Sequence, residues 1–322
     1  MAIEVLIFIA SVFILSWLSS RLVATLVDIA KYLKWREFII AFFIMAFAGS
    51  LPNLFVDVNA ALQHMPEIAF GDILGGNLVD LTLVLAIAIF FGKGAMEAES
   101  EMVQKSAVFT SAIAILPIFL VWDGKLDRTD GFILLGAFFF YAWWLFSKEE
   151  RFKKVYKGRP KEHKKGMYVF IIDLIKIIVF LILLLVSSFC VINSAQYFSV
   201  QLGISLSLVG ILIVGLGNAF PEAYFSIISA RRGENWMVLG DLMGSVIVCA
   251  TLVLGIIAII SPFQINDLSP FFVTRVFTLI ASLLFLVFIR TGKKITKLEG
   301  LCFLSIYIIF LLIQIFLPQI VK

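Results

Sequence analysis

Long apolar runs separated by short charged breaks dominate the chain. A membrane-spanning helix needs about 20 predominantly apolar residues, and roughly ten stretches of that kind follow one another here, with little left over for a soluble domain. The pattern predicts spans over about 2–30, 36–63, 68–91, 106–122, 130–147, 168–198, 204–230, 236–262, 270–290 and 297–319. Each is expected to be helical, because lipid does not tolerate unpaired backbone groups and the runs are too long for barrel strands. The first run lacks a basic start and a small-residue cleavage site, so it is expected to be a retained span and not a removed signal peptide.

Composition agrees: 61% of the 322 residues are hydrophobic and 15% charged, too few charges for a surface facing water. The formal charge of +4 does not point to nucleic acid, because the basic residues sit in the breaks between spans. They set topology instead. The most basic break, 148–167, is expected to be cytoplasmic. Alternating outward, Lys31/Lys34/Arg36, Arg231/Arg232 and Arg290/Lys293/Lys294 fall on the same side, with Asp123/Asp127/Asp130 and Asn266/Asp267 opposite. Both termini are then predicted outside, in a multi-pass protein of the plasma membrane. Cys190, Cys249 and Cys302 lie inside apolar runs and form no disulfide framework. His64, near a span end, and His163, in the basic break, are weak ligand candidates.

An internal repeat is the strongest signal. Gly71-Asp-Ile-Leu-Gly-Gly-Asn-Leu-Val-Asp-Leu-Thr-Leu-Val-Leu85 aligns without a gap on Gly240-Asp-Leu-Met-Gly-Ser-Val-Ile-Val-Cys-Ala-Thr-Leu-Val-Leu254, and the same register sets Pro52 on Pro221. Five spans per half make the second half enter the membrane from the opposite side. The expected fold is therefore an all-α integral membrane protein of about ten transmembrane helices in a 5+5 inverted-topology repeat. Residues 1–147 form the first repeat, 148–167 the basic loop and 168–322 the second repeat. In such transporter architectures the site lies near the midplane, at helices interrupted by Gly and Pro, which directs attention to spans 2, 3, 7 and 8.

Ionisable groups at that depth are costly and mark function. They are Asp57, Asp80 and Glu222, with Asp72 and Asp241 nearer the span starts, and no Lys or Arg lies at comparable depth in the repeat. Acids without bases point to a cation. Pro52 and Pro221 each remove a backbone donor and release a carbonyl of the preceding turn, beside Asn53 in one half and Glu222 in the other. Calcium takes six to eight hard oxygen ligands, which Asp80, Glu222, Asn53, Ser50, Ser245, released carbonyls and water can supply, with Asn218 bordering them. Asp57 lies one turn from Asn53 and lines an entrance or pairs with a neighbouring hydroxyl. Asp72 and Asp241, each beside Gly, are expected to cap helix N-termini. Cys249 is expected to be a packing residue at the edge of the site.

These residues resemble the paired α-repeats of the cation/calcium exchanger superfamily. Ala48-Gly49-Ser50-Leu51-Pro52-Asn53 looks like that family's G-[TS]-S-x-P-E, and Gly75-Gly76-Asn77-Leu78-Val79-Asp80 like its G-S-N-x-x-[ND]. Gly217-Asn218-Ala219-Phe220-Pro221-Glu222 and Gly244-Ser245 with Cys249 take the same places in the second half. The resemblance implies antiport by alternating access at a midplane site. The chain departs from the family's pattern at Asn53, where a glutamate is usual, and at Cys249, where an acid or amide is usual. Asp80 keeps one carboxylate per half.

The family's sodium exchange implies hydroxyls that are replaced here at Gly49, Gly76, Asn218 and Ala219, while Gly217-Asn218-Ala219 is similar to the G-N-A of the proton-coupled branch. A carboxylate desolvated at membrane depth can carry a proton when the cation leaves. The expectation is therefore a non-enzymatic antiporter that needs no cofactor and exchanges a divalent cation, calcium foremost, for H+. A Na+/Ca2+ exchanger of the same architecture is the first alternative, and a non-exchanging cation channel or membrane scaffold the second. The bilayer and the transported cations are the expected partners, with no nucleic acid.

Overall fold

A computed structural model describes residues 1–32, 50–147, 167–265 and 269–320. Ten helices follow one another along these residues: α1 Ala2–Tyr32, α2 Leu51–Leu62, α3 Pro66–Phe91, α4 Glu101–Leu120, α5 Arg128–Phe146, α6 Met167–Leu202, α7 Leu206–Arg232, α8 Asn235–Ile260, α9 Ser269–Arg290 and α10 Lys297–Ile320. Nine of them match the spans expected from hydropathy, and of the second expected span, 36–63, only the part from 50 onward lies within the described residues. The basic stretch 148–166, the pair Ala48-Gly49 and Asn266/Asp267 lie outside the described residues.

Helices α3 and α8 are the most enclosed, whereas α1, α6 and α10 turn rows of Ile, Leu and Phe outward, as lipid-facing helices must. The inner face of α3 is crowded with buried Ile68, Phe70, Leu74, Leu78, Leu81 and Leu85, which is why no amphipathic stripe marks it.

Four two-residue strands join the helix ends: β1 Met96–Glu97, β2 Lys125–Leu126, β3 Phe263–Gln264 and β4 Lys294–Ile295. β1 pairs with β4 and β2 with β3, both antiparallel. Exchanging the two halves turns the α3–α4 connection into α8–α9 and α4–α5 into α9–α10, so one ladder maps onto the other at the opposite end of the bundle. That is what an inverted repeat requires. At the start of α5, Asp127 accepts from Thr129 N at 2.7 Å and Asp130 N at 3.1 Å, and Asp130 Oδ2 returns a bond to Asp127 N at 2.9 Å. These backbone donors hold the Asp127 carboxyl below its ordinary range.

The repeat is also visible in the backbone. At an offset of 169 residues, which carries Gly71 to Gly240, Ser50 (φ −83°, ψ 3°) coincides with Ala219 (φ −79°, ψ −2°), each the break from which a new helix starts with proline at its second position. The same offset brings a π-helical turn at Asp80–Val84 onto one at Val248–Val253. Thr82 and Thr251, again repeat-related, donate their hydroxyls to the Leu78 and Ile247 carbonyls inside these widened turns. π-turns of this kind gather at functional sites.

Candidate functional site

The two proline breaks and the two repeat-related π-turns meet in the middle of the bundle, and a third π-turn at Gly210–Val214 lies in α7 before its break. Glu222 is the third residue of the helix that begins at Phe220, and Asp80 opens the α3 π-turn. Both are buried and they face each other across the α7–α3 interface. The Ser245 hydroxyl on α8 lies 3.5 Å from Glu222 Oε1 and also faces Asp80. Asn53 Nδ2 donates to Cys249 Sγ at 3.3 Å, joining α2 to α8.

The repeat explains the pairing. It relates Asn53 to Glu222 and Cys249 to Asp80, so the contact Asn53–Cys249 is the repeat image of Glu222–Asp80. Each half contributes one acid at a non-equivalent position, and folding sets the two acids against each other and bonds the two neutral residues to each other. Cys249 is thus more than a packing residue at the edge, since it bonds the Asn53 amide. Ser50, one of the expected ligands, is buried at the α2 break.

Several oxygens here have no hydrogen-bond donor: Asn53 Oδ1, Asp80 Oδ1, Glu222 Oε2 and Asp241 Oδ2, as well as both oxygens of Asp57. Each such atom away from water costs free energy unless a cation or a proton meets it. Among the described residues, no Lys, Arg or His is among the groups facing these carboxyls. Among the described residues, no three His, Cys, Asp or Glu side chains converge into a ready-made metal cluster. A cation between Glu222 and Asp80 would draw its other ligands from Ser245, Asn53, Ser50, backbone carbonyls and water. Pro221 has no N–H to close the next helical bond onto the Gly217 carbonyl.

Asp72 and Asp241 are not the helix caps their Gly-Asp setting predicts. The caps of α3 and α8 are Met65 and Glu234, and both aspartates lie seven residues further on. Asp72 instead accepts the Asn218 amide at 2.5 Å. Asn218 is therefore engaged through its nitrogen, across the α7–α3 interface. The repeat image of Asn218 is Gly49, which has no side chain to offer, and Asp241 is left with an oxygen without a donor. Asp57 faces Asp72, where a neighbouring hydroxyl was the alternative.

Two residues not singled out by sequence belong to this region. Ser226, fully buried with its hydroxyl unpartnered, is the repeat image of Asp57, and Asn77 is buried on α3 with Nδ2 unpartnered. The first was recoverable from the register, the second from the Asn of the glycine-rich motif.

Helices α3 and α7 approach closely enough to exclude side chains. A Cβ on Gly75 would sit 2.3 Å from the Ile211 carbonyl oxygen, one on Gly71 2.7 Å from Ser207 O, one on Gly210 2.4 Å from Ile68 O and one on Gly215 2.8 Å from Gly76 N. This backbone contact sets how far apart Asp80 and Glu222 stand.

The solved structure of the sodium-calcium exchanger NCX_Mj soaked with sodium and strontium superimposes with a TM-score of 0.63 at 25% identity, covering 96% of this chain and 98% of that one. Among curated proteins, the sodium/calcium exchanger MaX1 of Methanosarcina acetivorans is 23% identical over 90% of this chain and 92% of its own length. The inner membrane protein YrbG of Escherichia coli is 24% identical, with 72% of each chain covered. The model of the family described as sodium/calcium exchanger protein matches residues 3–147 and 173–316, both repeats and all ten helices, and the chain belongs to that family.

Proposed function

We propose that the protein exchanges a divalent cation, calcium foremost, for protons by alternating access, with Glu222 and Asp80 as the central ligands. The observation that carries this reading is the buried pair of facing acids, one from each half, with unpartnered oxygens and no base beside them. Two carboxylates neutralise one divalent ion, and oxygen donors suit a hard cation. Ser245, Asn53 and Ser50 complete the shell, and Asn218 holds its border through Asp72. Protons are favoured as counter-ion because Gly49, Gly76 and Ala219 offer no hydroxyl for a set of sodium sites, while the same carboxyls can accept a proton when the cation leaves. The plasma membrane, with both termini outside and the 148–167 loop cytoplasmic, is the setting this reading assigns.

The sodium-driven alternative has its own support, since MaX1 and NCX_Mj are both named sodium/calcium exchangers. Reconstituted vesicles loaded with calcium separate the two. Calcium movement is expected to follow an imposed pH gradient with sodium absent, and movement driven only by a sodium gradient at clamped pH reverses the assignment of the counter-ion. Glu222→Gln and Asp80→Asn should each lower exchange by roughly 10- to 150-fold, the equivalent of losing a charged contact worth about 1.5–3 kcal/mol. Exchange undiminished in both variants would remove these residues from the site. Calcium conductance without counter-ion movement would identify a channel, and no cation effect on thermal stability a scaffold.

A further inference from the structure

Asp57 and Asp72 take no part in the central pair. Asp57 is completely buried, neither of its carboxylate oxygens has a donor, and it is aimed at Asp72. Asp72, equally buried, is fixed by the Asn218 amide at 2.5 Å, which leaves its other oxygen turned away from that bond. Among the described residues, the groups facing the two carboxyls are one another, Asn218, Asp80, Glu222 and Cys249, and none of these is a base. A single amide does not compensate two acids removed from water.

The pair is also displaced from the centre. Asp57 lies one turn beyond Asn53 on α2 and Asp72 eight residues before Asp80 on α3, about 6 Å and 12 Å along the helix axes. Both displacements run toward the α2–α3 connection. In sequence, the repeat register sets Ser226, Asp241 and Gly49 against Asp57, Asp72 and Asn218. Those positions hold one acid and no amide, so the second half does not repeat this residue set.

We propose that Asp57 and Asp72 form a second site for a hard divalent cation, between the central site and the α2–α3 end, with Asn218 as the residue that positions Asp72. Asp57 offers two oxygens and Asp72 one, and the two charges match one divalent ion. The inference rests on the reading that the chain carries a divalent cation, and its test is independent of transport.

Equilibrium binding of radioactive calcium to the purified full-length protein measures the number of ions per chain in wild type, Asp57→Asn, Asp72→Asn and Glu222→Gln, with melting curves confirming that each variant is folded. Wild type is expected to hold two calcium ions. Asp57→Asn and Asp72→Asn should each lose one and keep the ion that Glu222→Gln loses, while Glu222→Gln keeps the other. A single calcium in wild type, unchanged by Asp57→Asn and Asp72→Asn, overturns the second site and leaves the central one standing. Loss of both ions in either aspartate variant overturns its independence. Loss of one ion in Asp57→Asn with both retained in Glu222→Gln upholds the second site and removes Glu222 from the first.

Discussion

The tightest test of the architecture is Gly75→Ala. The added Cβ would meet the Ile211 carbonyl oxygen at 2.3 Å and the Ile211 Cα and carbonyl carbon at 2.8 and 2.9 Å, all backbone atoms of α7 that cannot rotate away. Ordinary contact begins near 3.4 Å, so α3 and α7 must part by about 1 Å, and overpacking of this kind costs typically 1–3 kcal/mol. The displacement falls five residues before Asp80 and opposite the segment leading to Glu222, so exchange should suffer together with stability. Gly76→Ala is the local control, since its nearest neighbours lie at 3.8 Å. A sharper control comes from the repeat: Gly71 has Ser207 O at 2.7 Å, whereas its image Gly240 has nothing within 4 Å. Thermal unfolding in detergent, followed by fluorescence-detected size exclusion, should place Gly71→Ala and Gly75→Ala clearly below wild type, with Gly76→Ala and Gly240→Ala close to it. Gly75→Ala melting and exchanging like wild type, or Gly240→Ala losing as much as Gly71→Ala, would refute the reasoning.

Asn218→Ala strips the only amide from Asp72 and should cost about 1–3 kcal/mol of stability, read from the same melting curves. Gln104 donates Nε2 to Ala98 O at 2.7 Å and Ile289 O at 2.8 Å, tying the α3–α4 connection to α9, and Gln104→Leu should destabilise by a similar amount without changing calcium affinity. Exchanging Asp80 and Cys249 by the double change Asp80→Cys, Cys249→Asp keeps the charge but breaks the facing pair of acids, and calcium-driven flux should fall. Adding Asn53→Glu and Glu222→Asn pairs the acids again, now at positions 53 and 249, and should recover part of it. Flux that is indifferent to the first swap would show that the pairing of the acids is not what matters.

The helices were legible because lipid imposes one rule on every span, apolar over about 20 residues with all backbone groups paired internally. The inverted repeat was legible because its alignment needs no gap. Less could be read at the site. The alignment shows Asn53 opposite Glu222 and Asp80 opposite Cys249, but not which residues of the four touch, since that depends on which helices of different halves are neighbours. Asp72 was misread as a cap because Gly-Asp is a common helix-start pattern, while the true start, marked by Pro66, lies six residues earlier. Its partner Asn218 is 146 residues away, and no local pattern points across that distance. The π-turns left no mark either, for a turn with one additional residue looks the same in both copies and cancels in the comparison. The close α3–α7 contact did leave one, in Gly71, Gly75, Gly210 and Gly215 spaced for two facing helices, yet glycine is common enough in membrane helices that its spacing alone did not single it out.

The two repeat-related π-turns and the two proline breaks also date the features of the molecule. A widened turn that sits at the same position in both halves is most simply inherited from one ancestral half, present before the gene that encoded it was doubled. The contrasts between the halves, Asn53 against Glu222, Asp57 against Ser226, Asn218 against Gly49, are then younger, each a change made after a second copy freed one half from having to match the other. The scaffold is the older layer and the distribution of charge upon it the newer.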